Sequence, residues 1–136
     1  MVSRLVACGV IACCLVAGSA VASAEPAAAK VFKGKTSQGH RIKSMVKGKA
    51  FKIHVFEIDL RCKDGSELVL IEGGFLWTKT GKGGGFRDAQ FGRTDSVYFR
   101  GKLNQRRLRG KVRVTDRLRN GTRCASRWVN FNATPG

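Results

Sequence analysis

Apolar and polar residues alternate with a period of two through much of the chain, and this alternation restricts the fold more than any other feature. From Leu108 to Leu118 the even positions are mainly apolar, whereas the odd positions are Arg109, Lys111, Arg113, Thr115 and Arg117. Successive side chains of a β-strand point to opposite faces, so this segment is predicted to be a strand with one buried and one exposed face. No useful run with the helical period occurs after residue 24.

Short strands separated by turn residues are predicted along the rest of the chain. They are 31–36, 40–46, 50–62, 66–71, 75–80, 86–91, 96–102, 108–118 and 123–131, with a flexible hairpin loop at 81–85, where four of five residues are glycine. This spacing predicts an all-β protein, an antiparallel β-sandwich or small barrel of about eight strands. Within 50–62 the apolar residues share one phase as far as Val55 and the other phase from Phe56 onward, which predicts a β-bulge or a bend in mid-strand.

The first 24 residues have the parts of a secretory signal peptide. Arg4 gives a positive start, residues 5–17 are apolar, and Ala22-Ser23-Ala24 is a small-x-small cleavage site. We therefore predict a signal peptide at 1–24, a disordered lead-in at 25–30, a single β-domain at 31–132 and a tail at 133–136. The apolar run is too short for a membrane-spanning helix, so no transmembrane segment is expected after cleavage. Residues 10–13 resemble a lipobox, which makes lipoprotein anchoring through Cys13 the alternative to secretion.

Cysteine usage agrees with export. Three of the five cysteines lie in the leader, and Cys62 and Cys124 remain in the mature chain. In an oxidising compartment two cysteines most simply form one disulfide. A disulfide that closes the loop from 62 to 124 is expected to stabilise the fold by roughly 4 kcal/mol. A metal pair or a catalytic thiol is the alternative, but only His40 and His54 are available as further ligands. No metal site and no cofactor are predicted.

The chain is strongly basic. Its formal net charge is +17, and Arg4 is the only charged residue of the leader, so the mature chain would carry +16. Such a charge favours an anionic partner: a cell-wall polyanion, a heparin-like polymer or nucleic acid. The segment 105–110, Gln-Arg-Arg-Leu-Arg-Gly, resembles the basic clusters of heparin-binding and nucleic-acid-binding proteins. The alternative interpretation is a solubilising charge that merely biases the protein towards anionic cell surfaces.

The turn after residue 118 decides which residues share the cationic face of the last hairpin. A two-residue Asn-Gly turn would pair Leu118 with Arg123, whereas a three-residue turn with Gly121 in the left-handed conformation would pair Leu118 with Thr122. We favour the second register because it buries Cys124 and Trp128 together. The predicted polyanion-binding residues are then exposed, with Val129 and Phe131 beside them; they are Arg106, Arg107, Arg109, Lys111, Arg113, Arg117, Arg123 and Arg127.

Catalytic patterns are weak in this sequence. His54 lies inside an alternating strand and is expected to be partly buried, and no partner can be assigned to His40. We therefore predict a protein that is not an enzyme and has no catalytic residues. The alternative is a small secreted hydrolase or enzyme inhibitor with a site near the glycine-rich loop at 81–91. Nothing in the residues specifies an oligomeric state.

Three short motifs carry a resemblance to known proteins. Gly34-Lys-Thr-Ser-Gln-Gly39, Cys62-Lys-Asp-Gly65 and Cys124-Ala-Ser-Arg-Trp128 are similar to segments of small secreted all-β bacterial proteins of unassigned function with one disulfide. The resemblance covers nearly the whole mature chain and implies a fold and a compartment, but no functional residue. The turn at 62–65 also resembles that of bacterial lysozyme inhibitors, although a +16 inhibitor would be repelled by a basic lysozyme.

Overall fold

The computed structural model of the protein describes residues 28–136, which form ten strands and one 3-10 turn. The strands are β1 (Lys30–Thr36), β2 (Arg41–Lys47), β3 (Ala50–Cys62), β4 (Glu67–Gly73), β5 (Thr78–Lys79), β6 (Gly85–Phe91), β7 (Asp95–Asn104), β8 (Arg107–Arg117), β9 (Arg123–Ala125) and β10 (Val129–Pro135). The all-β prediction is confirmed, with ten strands where about eight were expected. The predicted leader 1–24 and residues 25–27 of the lead-in lie outside the described residues.

Six strands close into an antiparallel barrel. Around the barrel the order is β1, β2, β3, β9, β8 and β10, and β10 pairs with β1 to complete the ring. Four strands extend beyond it: β4 and β5 pair with β3, while β7 pairs with β8 and carries β6. Within residues 28–136 no helix is long and apolar enough to cross a membrane.

A single hydrophobic core fills the barrel and the space under its extensions. Phe56 stacks on Phe75 with their ring centroids 5.4 Å apart, and the ring of Phe99 meets both rings at a steep angle. Phe51 packs against Phe86 at 4.6 Å. These contacts join β3 to β6 and β7, so the strands outside the barrel are held by the same core as the barrel itself.

The predicted bulge lies in β3. Lys43 of β2 is opposite Val55, whereas the next residue, Ser44, is opposite Ile53, which leaves His54 as an extra residue. The bulge shifts the apolar phase, so Ile53 and Phe56 are both buried. His54 is exposed and not partly buried as expected, because the bulged residue is turned away from the core.

The segment predicted as the last strand, 123–131, is two strands. The Ser126 amide donates a hydrogen bond to the Val114 carbonyl, and the Ser126 hydroxyl accepts one from the Val114 amide, both at 2.9 Å. These bonds end β9, and the chain crosses to begin β10 at Val129. Because β10 pairs with β1 as far as Pro135, residues 133–135 belong to the barrel, and the predicted tail is wrong there.

The disulfide and the final turn are as predicted. Cys62 and Cys124 are bonded and lie directly opposite each other in β3 and β9. The Leu118 amide donates to the Thr122 carbonyl at 2.9 Å, and Gly121 has φ of 85°. A three-residue turn with a left-handed glycine therefore sets the register of β8 and β9.

Two predictions around the glycine-rich segment are wrong. The strand expected at 75–80 is reduced to Thr78–Lys79, because Phe75 leaves the sheet and inserts into the core. The loop expected to be a flexible hairpin is a 3-10 turn, Lys82–Gly84, followed by the first residue of β6. Gly84 has φ of 81°, and a Cβ atom there would lie 2.0 Å from the Leu103 carbonyl oxygen, so the turn is packed against β7.

Candidate functional site

The outer side of β8 carries alternating cations. Arg109, Lys111 and Arg113 are exposed, while Val112 and Val114 between and beyond them are buried. The alternation predicted from the sequence is therefore observed, and it arises because β8 lies across the core with one side facing solvent. Arg107 is exposed at the start of the same strand.

The neighbouring strands add further cations at directly opposite positions. Lys102 of β7 is opposite Arg109, and Arg100 is opposite Lys111. Arg87 of β6 is in turn opposite Arg100. Directly opposite residues share a face of an antiparallel sheet, so these side chains form two cationic rows. We call this surface the basic face; its members are Arg87, Arg100, Lys102, Arg107, Arg109, Lys111 and Arg113.

No member of the basic face forms an ion pair with another residue of the described part of the chain. Within residues 28–136 the ion pairs involve only His40, Arg41 and Arg61 as the basic partner, and none of these belongs to the basic face. Like charges directly opposite each other in a sheet destabilise it. The fold thus retains an electrostatic cost on this face that an anion would relieve.

Trp128 lies among the arginines of the basic face. The Cζ atom of Arg100 is 4.4 Å from the centre of the Trp128 ring, and that of Arg113 is 5.1 Å away. Arg113 also lies over Tyr98 at 5.2 Å. A guanidinium group is attracted to the face of an aromatic ring, so these contacts hold both arginines in defined positions. Trp128 and Tyr98 remain partly exposed.

Two shallow depressions meet on the basic face. One, of about 440 Å³, is lined by Arg87, Tyr98, Arg100 and Trp128 among others. The second, of about 600 Å³, is lined by cations of β7 and β8 together with Asn130 and Asn132 of β10. Arg100 lines both, so together they offer aromatic, cationic and amide groups along one continuous surface.

All eight predicted site residues are exposed, but they do not form one row. Arg107, Arg109, Lys111 and Arg113 lie on β8 within the basic face. Arg117 and Arg123 are opposite each other beyond it, near the disulfide end. The remaining two, Arg106 and Arg127, lie in the connections before and after these strands.

Residues that the sequence analysis missed complete the basic face. Arg100 and Lys102 alternate with buried Val97, Phe99 and Leu103 in β7, so the alternation within 96–102 already indicated that they are exposed. What the sequence did not indicate is that β7 lies next to β8 in the register that places these cations opposite those of β8.

The environments of Trp128, Val129 and Phe131 are the reverse of those predicted. Trp128 was expected in the core and lies on the basic face, while Val129 and Phe131 were expected beside the cations and are buried. The break after Ala125 causes this exchange, since β10 starts with a new phase and must turn its apolar side into the barrel.

A second cleft lies at the free edge of β6, on the segment 88–91 of the predicted alternative site. It has a volume of about 510 Å³ and is lined by Phe75, Leu76, Trp77, Phe91 and Glu72 among others. Desolvation by burial raises the pKa of Glu72 to about 7, with further contributions from the negative charges of Asp95 and Asp116. A third cavity, of about 810 Å³, lies beside Gly81–Gly84, and its lining among the described residues includes no histidine or carboxylate.

His40, for which no partner could be assigned from sequence, is paired in the structure. Its Nε2 atom is 2.7 Å from Asp59 Oδ1, and its Nδ1 atom is 3.9 Å from Glu57 Oε2. Gln38 holds the Asp59 backbone by accepting from its amide at 2.9 Å and donating to its carbonyl at 3.3 Å. The arrangement links the β1–β2 turn to β3.

No group of three histidine, cysteine, aspartate or glutamate side chains that could hold a metal ion occurs among residues 28–136. Comparison with protein-family models, with curated proteins and with solved structures found no match.

Proposed function

We propose that the protein is a non-enzymatic, exported binding protein that recognises an anionic polymer through the basic face. The chain carries a sequence typical of export, a disulfide and a large positive charge. The resemblance to secreted β-proteins with one disulfide also implies export from the cytoplasm. The ligand class is a linear polymer bearing phosphate, sulfate or carboxylate groups, such as an anionic cell-wall polymer.

The observation that carries the proposal is the row of cations at directly opposite positions. Arg87, Arg100 and Lys111 follow one another across three strands, and Lys102 is opposite Arg109 in the next row on the same face. Neighbouring strands are about 4.8 Å apart, and alternate residues of one strand about 6.7 Å apart, so the cations form a grid suited to repeating anionic groups. If these cations served only to keep the protein soluble, the fold would be more stable with the cations dispersed over the surface or paired with acidic residues.

Trp128 supports a polymer with rings in its repeating unit. A partly exposed indole next to two guanidinium groups offers an aromatic surface beside the anion-binding groups. Sugar rings and nucleobases both stack on such surfaces, so the proposal covers anionic polysaccharides and nucleic acids and leaves the choice to experiment.

The test is a triple substitution, Lys102→Ser, Arg109→Ser and Lys111→Ser. Affinity for heparin, duplex DNA, single-stranded DNA and teichoic acid is measured by titration across a salt series. We expect weaker binding of the preferred polymer and a shallower salt dependence, because each lost ionic contact removes about one released counterion. The variant should also be slightly more stable at low salt, since opposed like charges are removed.

The matched control is Lys47→Ser, Lys79→Ser and Lys82→Ser, three exposed cations outside the basic face. It changes the net charge by the same amount. If both triple variants lose the same affinity for every polymer, binding depends on net charge alone and the proposed site is wrong.

The alternative function, a small hydrolase or inhibitor, has one observation in its favour. Glu72 lies beside an apolar cleft with a pKa raised to about 7, the property expected of a group that exchanges protons near neutral pH. Glu72→Gln would abolish such an activity and leave polymer binding unchanged. Loss of polymer binding in this variant would instead place the ligand in the cleft.

A further inference from the structure

Among the described strands, β4 combines a long apolar run with little burial. It contains four consecutive apolar residues, Leu68 to Ile71, the longest such run in any strand of residues 28–136. It is nevertheless the only one of the ten described strands without a buried residue. Val69 is 54% exposed and Ile71 62% exposed. Leu68 and Leu70 are partly buried and pack against the core, so burial accounts for these two residues but not for Val69 and Ile71.

The backbone of β4 is also open on one side. It pairs with β3 and with no other strand of the described residues, and that pairing is regular, without a bulge. The strand has no lysine, arginine or proline, the residues that commonly protect an edge from pairing with another chain. Its two charged residues, Glu67 and Glu72, lie on either side of the apolar run. An open and regular edge strand with an apolar centre is a template for a further strand.

β6, which pairs only with β7, is an edge strand that is protected. The Leu76 amide donates to Gln90 Oε1 at 2.9 Å, Gln90 Nε2 donates to the Leu76 carbonyl at 3.3 Å, and the Thr78 hydroxyl donates to Asp88 at 2.6 Å. The segment before β5 thus covers β6, whereas no hydrogen bond of this kind covers β4 among the described residues. The contrast singles out β4.

We propose that β4 pairs antiparallel with β4 of a second copy of this chain, forming a two-fold symmetric dimer with a continuous sheet. Directly opposite residues must share a face, which restricts the registers to those with the two-fold axis at a residue. With the axis at Leu70, Val69 is opposite the partner's Ile71 on the outer face, and the two Leu70 side chains meet on the inner face. Placing the axis at Val69 would instead set Glu67 opposite the partner's Ile71, which is less favourable.

Charge distribution favours this edge for contact between two copies. Five of the nine acidic residues of the chain lie in the segment 57–72, which contains only two basic residues. β4 therefore lies in a segment where the positive charge of the chain is locally offset, unlike the basic face. The remaining repulsion between the whole molecules is screened by salt, so the dimer should be stronger at high salt. Polymer binding has the opposite salt dependence, which separates this proposal from the proposed function.

The test uses the full chain exported with its own leader, with sedimentation velocity measured over a range of concentrations and at low and high salt. We expect a monomer–dimer equilibrium that shifts towards dimer as salt rises. Ile71→Lys should raise the dissociation constant at least about tenfold, because two unpaired charges enter the contact. The control Leu76→Lys, at an exposed apolar residue outside β4, should leave the equilibrium unchanged.

A second variant tests the register and does not depend on loss of association. Leu70→Cys places one thiol on the two-fold axis, and mild oxidation should link two copies, whereas Leu76→Cys should not. Circular dichroism confirms that the variants are folded. A monomer at every concentration and salt, a dimer unaffected by Ile71→Lys, equal loss in both lysine variants, or open-ended growth beyond the dimer would each overturn the proposal.

Discussion

The pH dependence of the free energy of unfolding tests the environment that the structure gives to the Glu72 carboxyl group. Glu72 is partly buried on the inner side of β4, and burial together with the nearby charges of Asp95 and Asp116 raises its pKa from the usual 4.5 to about 7. The folded protein therefore binds this proton more tightly than the unfolded chain does. The contribution of protonated Glu72 to the free energy of unfolding is fully present below pH 4.5 and is lost as the pH rises through about 7.

The magnitude follows from the pKa difference. At 1.36 kcal/mol per pH unit, the rise to about 7 corresponds to roughly 3 kcal/mol. Because the side chain is only partly buried, solvent screening reduces this to roughly 1–2 kcal/mol. Glu72→Gln removes the ionisation, so it should stabilise the fold by that amount at about pH 8 and change little at about pH 4.

The assay is urea unfolding of both proteins at the two pH values, at protein concentrations low enough to keep them monomeric. The matched control is Glu67→Gln in the same strand, where the exposed carboxylate accepts a hydrogen bond from Arg61 at 2.8 Å. Loss of this surface pair should cost at most about 1 kcal/mol, an effect of opposite sign. Equal gains for Glu72→Gln at both pH values would refute the reasoning, because the gain would then come from packing and not from ionisation.

Three further predictions concern the disulfide, the sheet and the indole. Replacing Cys62 and Cys124 by serine should lower the free energy of unfolding by roughly 4 kcal/mol, measured by denaturant titration. Gly101→Ala would place its Cβ 2.2 Å from a backbone oxygen of β8 and should lower the free energy of unfolding by about 2–4 kcal/mol in the same titration. In the control Gly85→Ala no atom lies within 4 Å of the new Cβ, so the free energy of unfolding should change by at most about 0.5 kcal/mol. Trp128→Ala should weaken polymer binding about fivefold, measured by titration calorimetry, since a polymer ring stacked on the indole contributes about 1 kcal/mol; an unchanged affinity would remove Trp128 from the site.

Local sequence signals predicted those features that depend on neighbouring residues. The alternation in 108–118 and the left-handed Gly121 predicted β8, its exposed cations and the register of its hairpin with β9. The phase change in the middle of 50–62 predicted a bulge or a bend, and the structure has the bulge at His54. Each of these depends on steric or hydrophobic preferences acting over a few residues, so the sequence contains the information directly.

Features that depend on distant pairing were not predictable in the same way. Trp128 was placed in the core because 123–131 reads as one strand, and only the hydrogen bonds between Ser126 and Val114 show that β9 ends there. Closing the barrel against β1 then requires that Val129 and Phe131 face inward, which leaves Trp128 among the arginines. A barrel sets the phase of its last strand through a partner almost a hundred residues away.

The sequence by itself therefore determined an all-β, disulfide-linked, strongly basic chain and most of its strands. Alternation and turn glycines are local signals, and the disulfide follows because only two cysteines remain after the predicted leader. The tertiary structure decided which cations stand opposite one another, where Trp128 lies and which edge remains open. These properties arise from strand order and register, and they follow from the balance of contacts over the whole barrel rather than from any one segment.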